Sequence, residues 1–358
     1  MMRFRRIART MLLLGAIAAT VAAAKPIPAP PGTVQSYDGY KSWLVACDNA
    51  LRCVAKGFSD AHPGAEIVID RDAGPSGKLA LSIRAERAFA LGDVRIDGKP
   101  AGLGGPAWRL DANTDETTLS SSDLAGVRQL VARLRNAARV TLGGDAEVSL
   151  DGFAAAVLRL DERQSRIGGV TALVRTGPLP ASRVPRPPAL PKIPDHPITV
   201  TLAPGEEKRL IAAVRADQKA VFAKEDCASD VPVDPEAHAL DKTQALVIIP
   251  CLMGAYQGSA LGYIAPRRGG KPKRLVLPTP YLGNDAERGD ESYLTDADFD
   301  PKTGTLSMAA KGRGMADCGM SASWIWNGER FVLSDMALQQ MCGGAEPGDW
   351  PVIFRSLR

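Results

Sequence analysis

Histidine is scarce in this chain, which has only 3 histidines among 358 residues. Imidazole is the common ligand of catalytic zinc and the common proton carrier near neutral pH, so this count argues against a histidine-rich metal centre or proton relay. Short catalytic patterns are missing as well: there is no G-x-S-x-G, S-x-x-K, P-loop or H-E-x-x-H, and no G-x-G-x-x-G opens a helix. We therefore predict no catalytic residue, no metal ion and no cofactor.

Long apolar runs are equally few. The run at 11–21 has 11 residues, whereas a transmembrane helix needs about 20. Small residues, Ala22–Ala24, follow it and a basic head precedes it, which is typical of a secretory signal peptide; we place that peptide at 1–24, with an uncleaved anchor as the alternative. We predict export to a periplasm and no membrane span in the mature chain. The basic head comprises Arg3, Arg5, Arg6 and Arg9.

An excess of one charge sign is absent from the exported part. The full chain has 44 Lys+Arg against 40 Asp+Glu, a net charge of +4. The signal peptide holds four of the basic residues and no acidic one, so the mature chain has 40 of each sign. Nucleic acids are bound chiefly through a surplus of Lys and Arg. We therefore predict no nucleic-acid partner.

Cysteine is present in an even number, six, and all of it lies in the exported part. No two cysteines form C-x-x-C, so neither a thioredoxin-like pair nor a zinc knuckle is indicated. In an oxidising compartment the count predicts three disulfides, for which 15 connectivities exist. The short separation favours Cys47–Cys53, and sequence neighbours favour the other two pairs without fixing them. The remaining cysteines are Cys227, Cys251, Cys318 and Cys342.

Proline marks the predicted domain boundaries. Residues 25–31 hold 4 of the 27 prolines and residues 177–197 hold 8, a density that favours extended chain over helix or central strand. We predict a tether at 25–33, an N-terminal domain at 34–176, an interdomain linker at 177–197 and a C-terminal domain at 198–358. A recognition motif is the alternative for the linker.

Apolar periodicity predicts an α+β fold. The N-terminal domain is expected to combine strands with two helices, at about 123–137 with Ser122 as N-cap and at about 152–165. The C-terminal domain is expected to hold one helix near 207–223 and otherwise an antiparallel β meander. Its clearest element is 324–333, two alternating runs joined by Asn-Gly as a two-residue hairpin. Further strands are expected at 43–47, 53–58, 65–70, 78–84, 244–251, 260–265, 274–277, 292–299, 305–310 and 350–355.

The segment K-G-R-G-M-A-D-C-G at 311–319 is the strongest candidate for a ligand site. It places two cations and a carboxylate beside a cysteine, and its three glycines permit unusual backbone or close approach of another chain. A strained loop braced by a disulfide is the alternative. The residues that we expect to contact a ligand are Tyr256, Lys311, Arg313, Asp317 and Trp324.

Three charged patterns are weaker candidates. Residues 295–304 resemble the opening of a calcium loop, but Pro301 stands where glycine is needed, so a hairpin turn is favoured. Residues 267–274 hold five cations, which an anionic partner or a solvated loop tip explains equally well. Asp290 and Glu291 make a poor glycosidase pair, because neighbours on a strand point to opposite faces.

Six segments, in order, resemble one bacterial exported family, the domain of unknown function 1176. This resemblance covers nearly the whole mature chain and implies a Gram-negative periplasm, but no activity or catalytic residue. The N-terminal half, through W-x-x-x-C and S-L-x-G-F-x-x-A, is more weakly similar to invasion-associated locus B proteins. The six segments are Y-K-S-W-L-V-A-C-D-N-A-L-R-C, G-F-A-A-A-V-L-R-L-D-E-R-Q-S-R-I-G, C-L-M-G-A-Y-Q, K-G-R-G-M-A-D-C-G, W-I-W-N-G-E-R-F and C-G-G with W-P-V-I-F-R.

The sequence thus favours a non-catalytic binding or envelope-maintenance protein of the periplasm. Its expected partner is an envelope protein or a cell-wall component. Two alternatives stay open: a periplasmic hydrolase acting on cell-wall sugar or peptide through carboxylates that the fold brings together, and an inhibitor of a secreted lytic enzyme.

Overall fold

The computed structural model describes residues 34–59, 64–113, 115–228, 230–282, 291–345 and 348–358. The predicted signal peptide and tether lie outside the described residues, as does Asp290. Within the described ranges no helix has the length and apolar character that crossing a membrane requires. Contacts group Gly32–Arg358 into one compact unit. A division into two domains at 177–197 is therefore not clearly supported, and that boundary stays a prediction.

The N-terminal half contains two antiparallel sheets. The first has seven strands in the order β1-β2-β3-β4-β5-β9-β8, and the second has four in the order β11-β10-β6-β7. Most strands expected here from alternating apolar residues are present. The bounds are β1 Ser36–Tyr40, β2 Trp43–Cys47, β3 Cys53–Phe58, β4 Ala65–Arg71, β5 Leu79–Ala85, β6 Val94–Ile96, β7 Lys99–Pro100, β8 Arg109–Ala112, β9 Thr117–Ser121, β10 Arg139–Leu142 and β11 Glu147–Ser149.

Two helices pack against these sheets, as the apolar spacing predicts. They are α1, Leu124–Leu134, and α2, Phe153–Arg163. The N-cap of α1 is Asp123 rather than Ser122, because the Asp123 carboxylate accepts the N–H of Gly126 at 2.6 Å. A carboxylate at this position also complements the positive end of the helix dipole.

The C-terminal half forms two further sheets instead of the single predicted meander. One has the order β12-β13-β14-β15 with β16 also paired to β14, and the other has the order β17-β18-β19-β20-β21. The bounds are α3 Glu206–Asp217, α4 Lys219–Lys224, β12 Glu236–Ala239, β13 Gln244–Met253, β14 Gly258–Pro266, β15 Lys273–Arg274, β16 Leu294–Thr295, β17 Asp298–Asp300, β18 Thr305–Lys311, β19 Gly319–Trp326, β20 Phe331–Gln339 and β21 Val352–Arg355; two short 3-10 helices lie at Leu91–Asp93 and Ala181–Arg183.

Strand β2 explains why the two halves form one unit. Trp43 and Val45 belong to the apolar core of the N-terminal half. Leu44 and Ala46, on the opposite face of the strand, belong to a second core whose other members come mostly from the C-terminal sheets, Trp324 among them. Because successive side chains of a strand point to opposite faces, a strand without polar residues can serve two cores at once.

The proline-rich segment 177–197 is docked along the protein for part of its length. The N–H of Ile193 donates to the carbonyl of Leu357 at 2.8 Å, and the N–H of Leu357 donates to Pro191 at 2.9 Å. The N–H of His196 likewise reaches the carbonyl of Thr303 at 2.8 Å. The extended conformation that proline imposes thus finds backbone partners at the C-terminus and at the turn before β18.

The three disulfides are Cys47–Cys53, Cys227–Cys251 and Cys318–Cys342. The first is the predicted pair, and the other two join the sequence neighbours that the sequence favoured without fixing them. The hairpin of β19 and β20 is also confirmed, but its turn is longer than a two-residue Asn-Gly turn. Strand β19 ends at Trp326 and strand β20 begins at Phe331. The side-chain oxygen of Asn327 accepts the N–H groups of Glu329 and Arg330, so Asn327 stabilises a four-residue turn.

Candidate functional site

The segment 311–319 joins β18 to β19 as a tight loop. Its two ends, Lys311 and Gly319, are paired in the sheet, and the N–H of Gly312 donates to the carbonyl of Cys318 at 2.8 Å. A Cβ atom on Gly312 would lie 2.6 Å from the Cys318 sulfur. Glycine is needed at this position because the disulfide passes directly over the backbone.

Inside this loop Arg313 and Asp317 form a two-point ion pair. The Arg313 Nε donates to the Asp317 Oδ1 at 2.8 Å, and a terminal guanidinium nitrogen contacts the second carboxylate oxygen. The Asp317 side chain is 7% exposed and that of Arg313 is 38% exposed. The buried Asp317 carboxylate is therefore paired with a guanidinium that is itself partly exposed to solvent.

Two side chains that come later in the sequence, Gln339 and Trp350, hold the backbone of this loop. The indole N–H of Trp350 donates to the carbonyl of Ala316 at 3.1 Å, and the Nε2 of Gln339 donates to the carbonyls of Asp317 and Gly343 at 2.7 and 2.9 Å. Gln339 is 1% exposed. Each of these bonds is made by a side chain to the backbone, so the loop keeps its shape whichever side chains it presents.

A neighbouring turn between β13 and β14 is clamped to the same loop. The side-chain amide of Gln257 donates to the carbonyl of Lys311 at 3.1 Å and accepts the N–H of Lys311 at 2.9 Å. Tyr256, 46% exposed, lies beside Gly314, where an added Cβ would be 3.5 Å from the tyrosine ring. The structure thus brings Tyr256 together with Lys311, Arg313 and Asp317.

Exposed apolar side chains occur on the loop 311–319, on this turn and at the end of β13, the strand that leads into the turn. Among the described residues ten large apolar side chains are exposed, and four of them lie here, each 40–46% exposed. A single exposed apolar residue needs no explanation, but several on adjoining segments are typical of an interaction surface. We call these four residues the corner patch: Leu252, Met253, Tyr256 and Met315.

Trp324 is not at this surface. Its side chain is fully buried in the second core, and its indole N–H donates to the carbonyl of Pro278 at 2.8 Å. A ligand could reach Trp324 only if the sheet opened. We therefore leave Trp324 out of the proposed binding surface, and add three of its residues that the sequence reasoning did not single out: Leu252, Met253 and Met315.

The described residues offer no metal centre at the loop. Asp317, Cys318 and Cys342 come within ligand distance of one another, but both sulfurs are bonded to each other and cannot act as thiolates. The turn predicted within 295–304 is present between β17 and β18. The carboxylate of Asp300 accepts the N–H of Lys302 at 2.9 Å and the Thr303 hydroxyl at 3.0 Å. That carboxylate serves the turn between β17 and β18.

The basic loop 267–274 is partly a structural feature. Arg267 makes two hydrogen bonds of 2.8 Å to the carboxylate of Glu206, at the first turn of α3. Arg274 pairs with Glu225 at 2.8 Å. Because two of its five cations are committed to these pairs, the loop is a weaker anion site than its sequence indicates.

The Arg267 pair predicts an acid-sensitive contribution to stability. Hydrogen bonds from Arg267 and from the N–H of Ala203 lower the pKa of Glu206 from 4.5 to about 2. The contribution is present above pH 4.5 and is lost as the pH falls toward 2. We expect Glu206→Gln to lower the melting temperature at pH 7 and to lower it less at pH 2.5. A difference in melting temperature that stays constant between these pH values would contradict the prediction.

Every fully buried carboxylate of the described chain has at least one partner, although the Oδ1 of Asp161 makes no hydrogen bond and lies 3.8 Å from a guanidinium nitrogen of Arg71. Asp48, Glu66, Asp161 and Asp317 are each at most 6% exposed. A general acid or base must exchange protons with a substrate, and a carboxylate held by permanent donors is poorly suited to this task. The partners are Arg355 for Asp48, Lys56 and Arg84 for Glu66, the N–H groups of Leu173 and Val174 for Asp161, and Arg313 for Asp317.

The longest segment behind the family resemblance, 152–168, serves the fold. Asp161, near the end of α2, accepts the backbone N–H groups of Leu173 and Val174. Arg166, 1% exposed, donates to the carbonyls of Asp72 and Gly74 at 3.1 and 2.9 Å. These buried polar residues hold α2 and the chain after it to the first sheet.

Comparisons with known proteins agree with the resemblance. The profile of a family described as "Protein of unknown function (DUF1176)" matches residues 37–356. The chain is similar to the uncharacterized protein YpfG of Escherichia coli K12, with 30% identity over 331 residues that cover 88% of this chain and 91% of the relative. No solved structure matches the chain. The similarity to invasion-associated locus B proteins is not shown by these comparisons.

Proposed function

This chain belongs to the DUF1176 family of proteins of unknown function, and from that premise we propose that it is an exported, non-catalytic binding module that docks another protein of the cell envelope through the corner patch. The observation that carries this proposal is the presence of four exposed apolar side chains on the loop 311–319, on the turn that is clamped to it and at the end of β13, which leads into that turn. Localisation to the periplasm is part of the proposal. It is supported by the predicted signal peptide and by the three disulfides.

The composition of the surface favours a protein partner. Aromatic residues, methionine and arginine are enriched at protein interfaces, and Trp, Tyr and Arg are the residues whose truncation costs most binding energy. The corner patch offers Tyr256, Met315 and Met253, with the half-exposed guanidinium of Arg313 beside them. A cell-wall sugar would instead require converging polar groups, whereas three of the four side chains of the patch are aliphatic or thioether.

The rigidity of the surface favours binding as well. A preorganised loop loses little conformational entropy when a partner is bound, so more of the contact energy appears as affinity. Here the disulfide, the Arg313–Asp317 pair, Gln339 and Trp350 all fix the same nine residues. The hydrolase alternative has less support, because the buried carboxylates of the described chain are held by permanent donors.

We test the proposal by affinity capture from a solubilised envelope extract, with turnover of peptidoglycan fragments measured in parallel. The native protein is expected to enrich one partner, and Tyr256→Ser with Met315→Ser is expected to weaken its capture at least about tenfold, as for loss of interface anchors. Leu110→Ser with Val233→Ser, two residues exposed elsewhere, is the matched control and should capture normally. Capture that is equal for both double variants, or turnover without any partner, would contradict the proposal. If the captured partner is a lytic enzyme, the proposed function becomes that of an inhibitor of this enzyme.

A further inference from the structure

A cavity of about 460 Å³, lined by none of the corner-patch residues, lies between the chain segment 275–278 and the turn that joins β19 to β20. Its wall includes Leu275, Val276 and Phe331, and its floor reaches the aromatic cluster in which the rings of Trp326 and Phe331 meet edge to face at 5.3 Å. The volume falls within the range of small-ligand pockets. Val276 at its mouth is 50% exposed.

One polar atom in this apolar setting has no partner. The indole N–H of Trp326 is buried and finds no acceptor within the described part of the chain, although the residue lines the cavity and is 1% exposed. Trp324, two residues earlier in the same strand, has its indole N–H satisfied by the carbonyl of Pro278. A buried donor without an acceptor is costly, and such groups in native proteins call for an explanation.

The rim of the cavity carries one charge of each sign. Glu329 and Arg330 line it, are exposed, and make no ion pair with any other described residue. Together they offer a carboxylate that can accept an N–H and a guanidinium that can donate to a carbonyl, with no net charge. This arrangement is complementary to a neutral peptide unit and unfavourable for a ligand with a net charge.

We propose that this cavity binds a bulky apolar residue of a peptide, whose side chain fills the apolar wall while a peptide carbonyl accepts the indole N–H of Trp326. The carboxylate of Glu329 accepts the peptide N–H, and the guanidinium of Arg330 donates to the next carbonyl. This site is distinct from the corner patch and does not depend on the function proposed for that patch.

The test follows the indole N–H resonances of the full-length protein labelled with ¹⁵N-tryptophan, which contains five tryptophans. The probe is N-acetyl-leucine methylamide, and Trp326→Phe assigns the resonance. We expect a saturable downfield shift of the Trp326 indole proton, no shift for Trp324, and no shift with N-acetylglycine methylamide, which has the peptide group but no apolar side chain.

Two variants keep the test independent of folding. Val276→Arg places a charge at the mouth of the cavity. It is expected to weaken binding of the probe at least about tenfold, since burying the probe's apolar side chain beside a guanidinium is unfavourable. Val233→Arg, at an equally exposed valine outside the cavity, should leave the titration unchanged. The proposal is overturned if the Trp326 resonance does not move, if both variants bind alike, or if octanoyl glycerol moves the resonance and the peptide probe does not.

Discussion

Replacing Glu66 by glutamine is expected to lower the free energy of unfolding by about 3–5 kcal/mol, the cost of breaking a buried ion pair from one side. Glu66 is fully buried and accepts from the Nζ of Lys56 at 3.1 Å, from the guanidinium of Arg84 at 3.1 Å and from the N–H of Ala345 at 3.2 Å. Lys56, whose side chain is 3% exposed, has no second carboxylate within ion-pair distance among the described residues. The substitution would leave its ammonium buried beside a neutral amide.

The Glu66→Gln substitution should also loosen the loop 311–319, which carries part of the corner patch. Ala345 belongs to the segment that leads from Cys342 to Trp350, and Trp350 supports the loop through the carbonyl of Ala316. Urea unfolding of Glu66→Gln is compared with that of Glu147→Gln, whose carboxylate makes an exposed pair with Arg139 and is expected to contribute less than about 1 kcal/mol. Equal losses in both variants would show that the buried pair has no special role.

Removing the disulfide Cys318–Cys342 by two serine substitutions is expected to destabilise the protein by about 3.5 kcal/mol, the loop-entropy value for a separation of 24 residues. The bond also lies directly over Gly312. Its loss should therefore loosen the loop 311–319 and weaken partner capture together with stability.

The chain supplies a matched control for this variant. Cys227–Cys251 has the same separation of 24 residues, so the same model predicts the same loss of stability. Limited proteolysis separates the local effect from the global one: the loop 311–319 should be cut faster in the Cys318→Ser, Cys342→Ser variant than in the Cys227→Ser, Cys251→Ser variant. Similar cleavage of that loop in both would mean that the disulfide does not shape the site.

Local patterns predicted most of the elements, because alternation and turn chemistry depend on neighbouring residues. The helices α1 and α2, the hairpin at Trp324 and the last edge strand at Val352 are examples. The burial of β2 between two cores was not predicted, because the run W-L-V-A-C was interpreted only as a strand, on the alternation of Trp43 and Val45. Its intervening Leu44 and Ala46 are also apolar, and that was the available signal for a strand buried on both sides.

The site could be predicted only in part. Lys311, Arg313 and Asp317 lie in one motif, and the structure keeps them together. The contact of Tyr256 with Gly314 and the bond from Ala345 to Glu66 join residues that are 58 and 279 positions apart. Such pairings depend on sheet order, which a single sequence does not contain, and the exposed Met315 carried no pattern that distinguished it from a core methionine.

The central claim, that the corner patch is a docking surface, is tested most directly by photo-crosslinking in living cells. A photoreactive phenylalanine analogue replaces Tyr256 in one strain and Leu110, a comparably exposed residue on β8, in another. The account predicts one discrete crosslinked product at position 256 and none at position 110. No product at 256, or the same products at both positions, would contradict it.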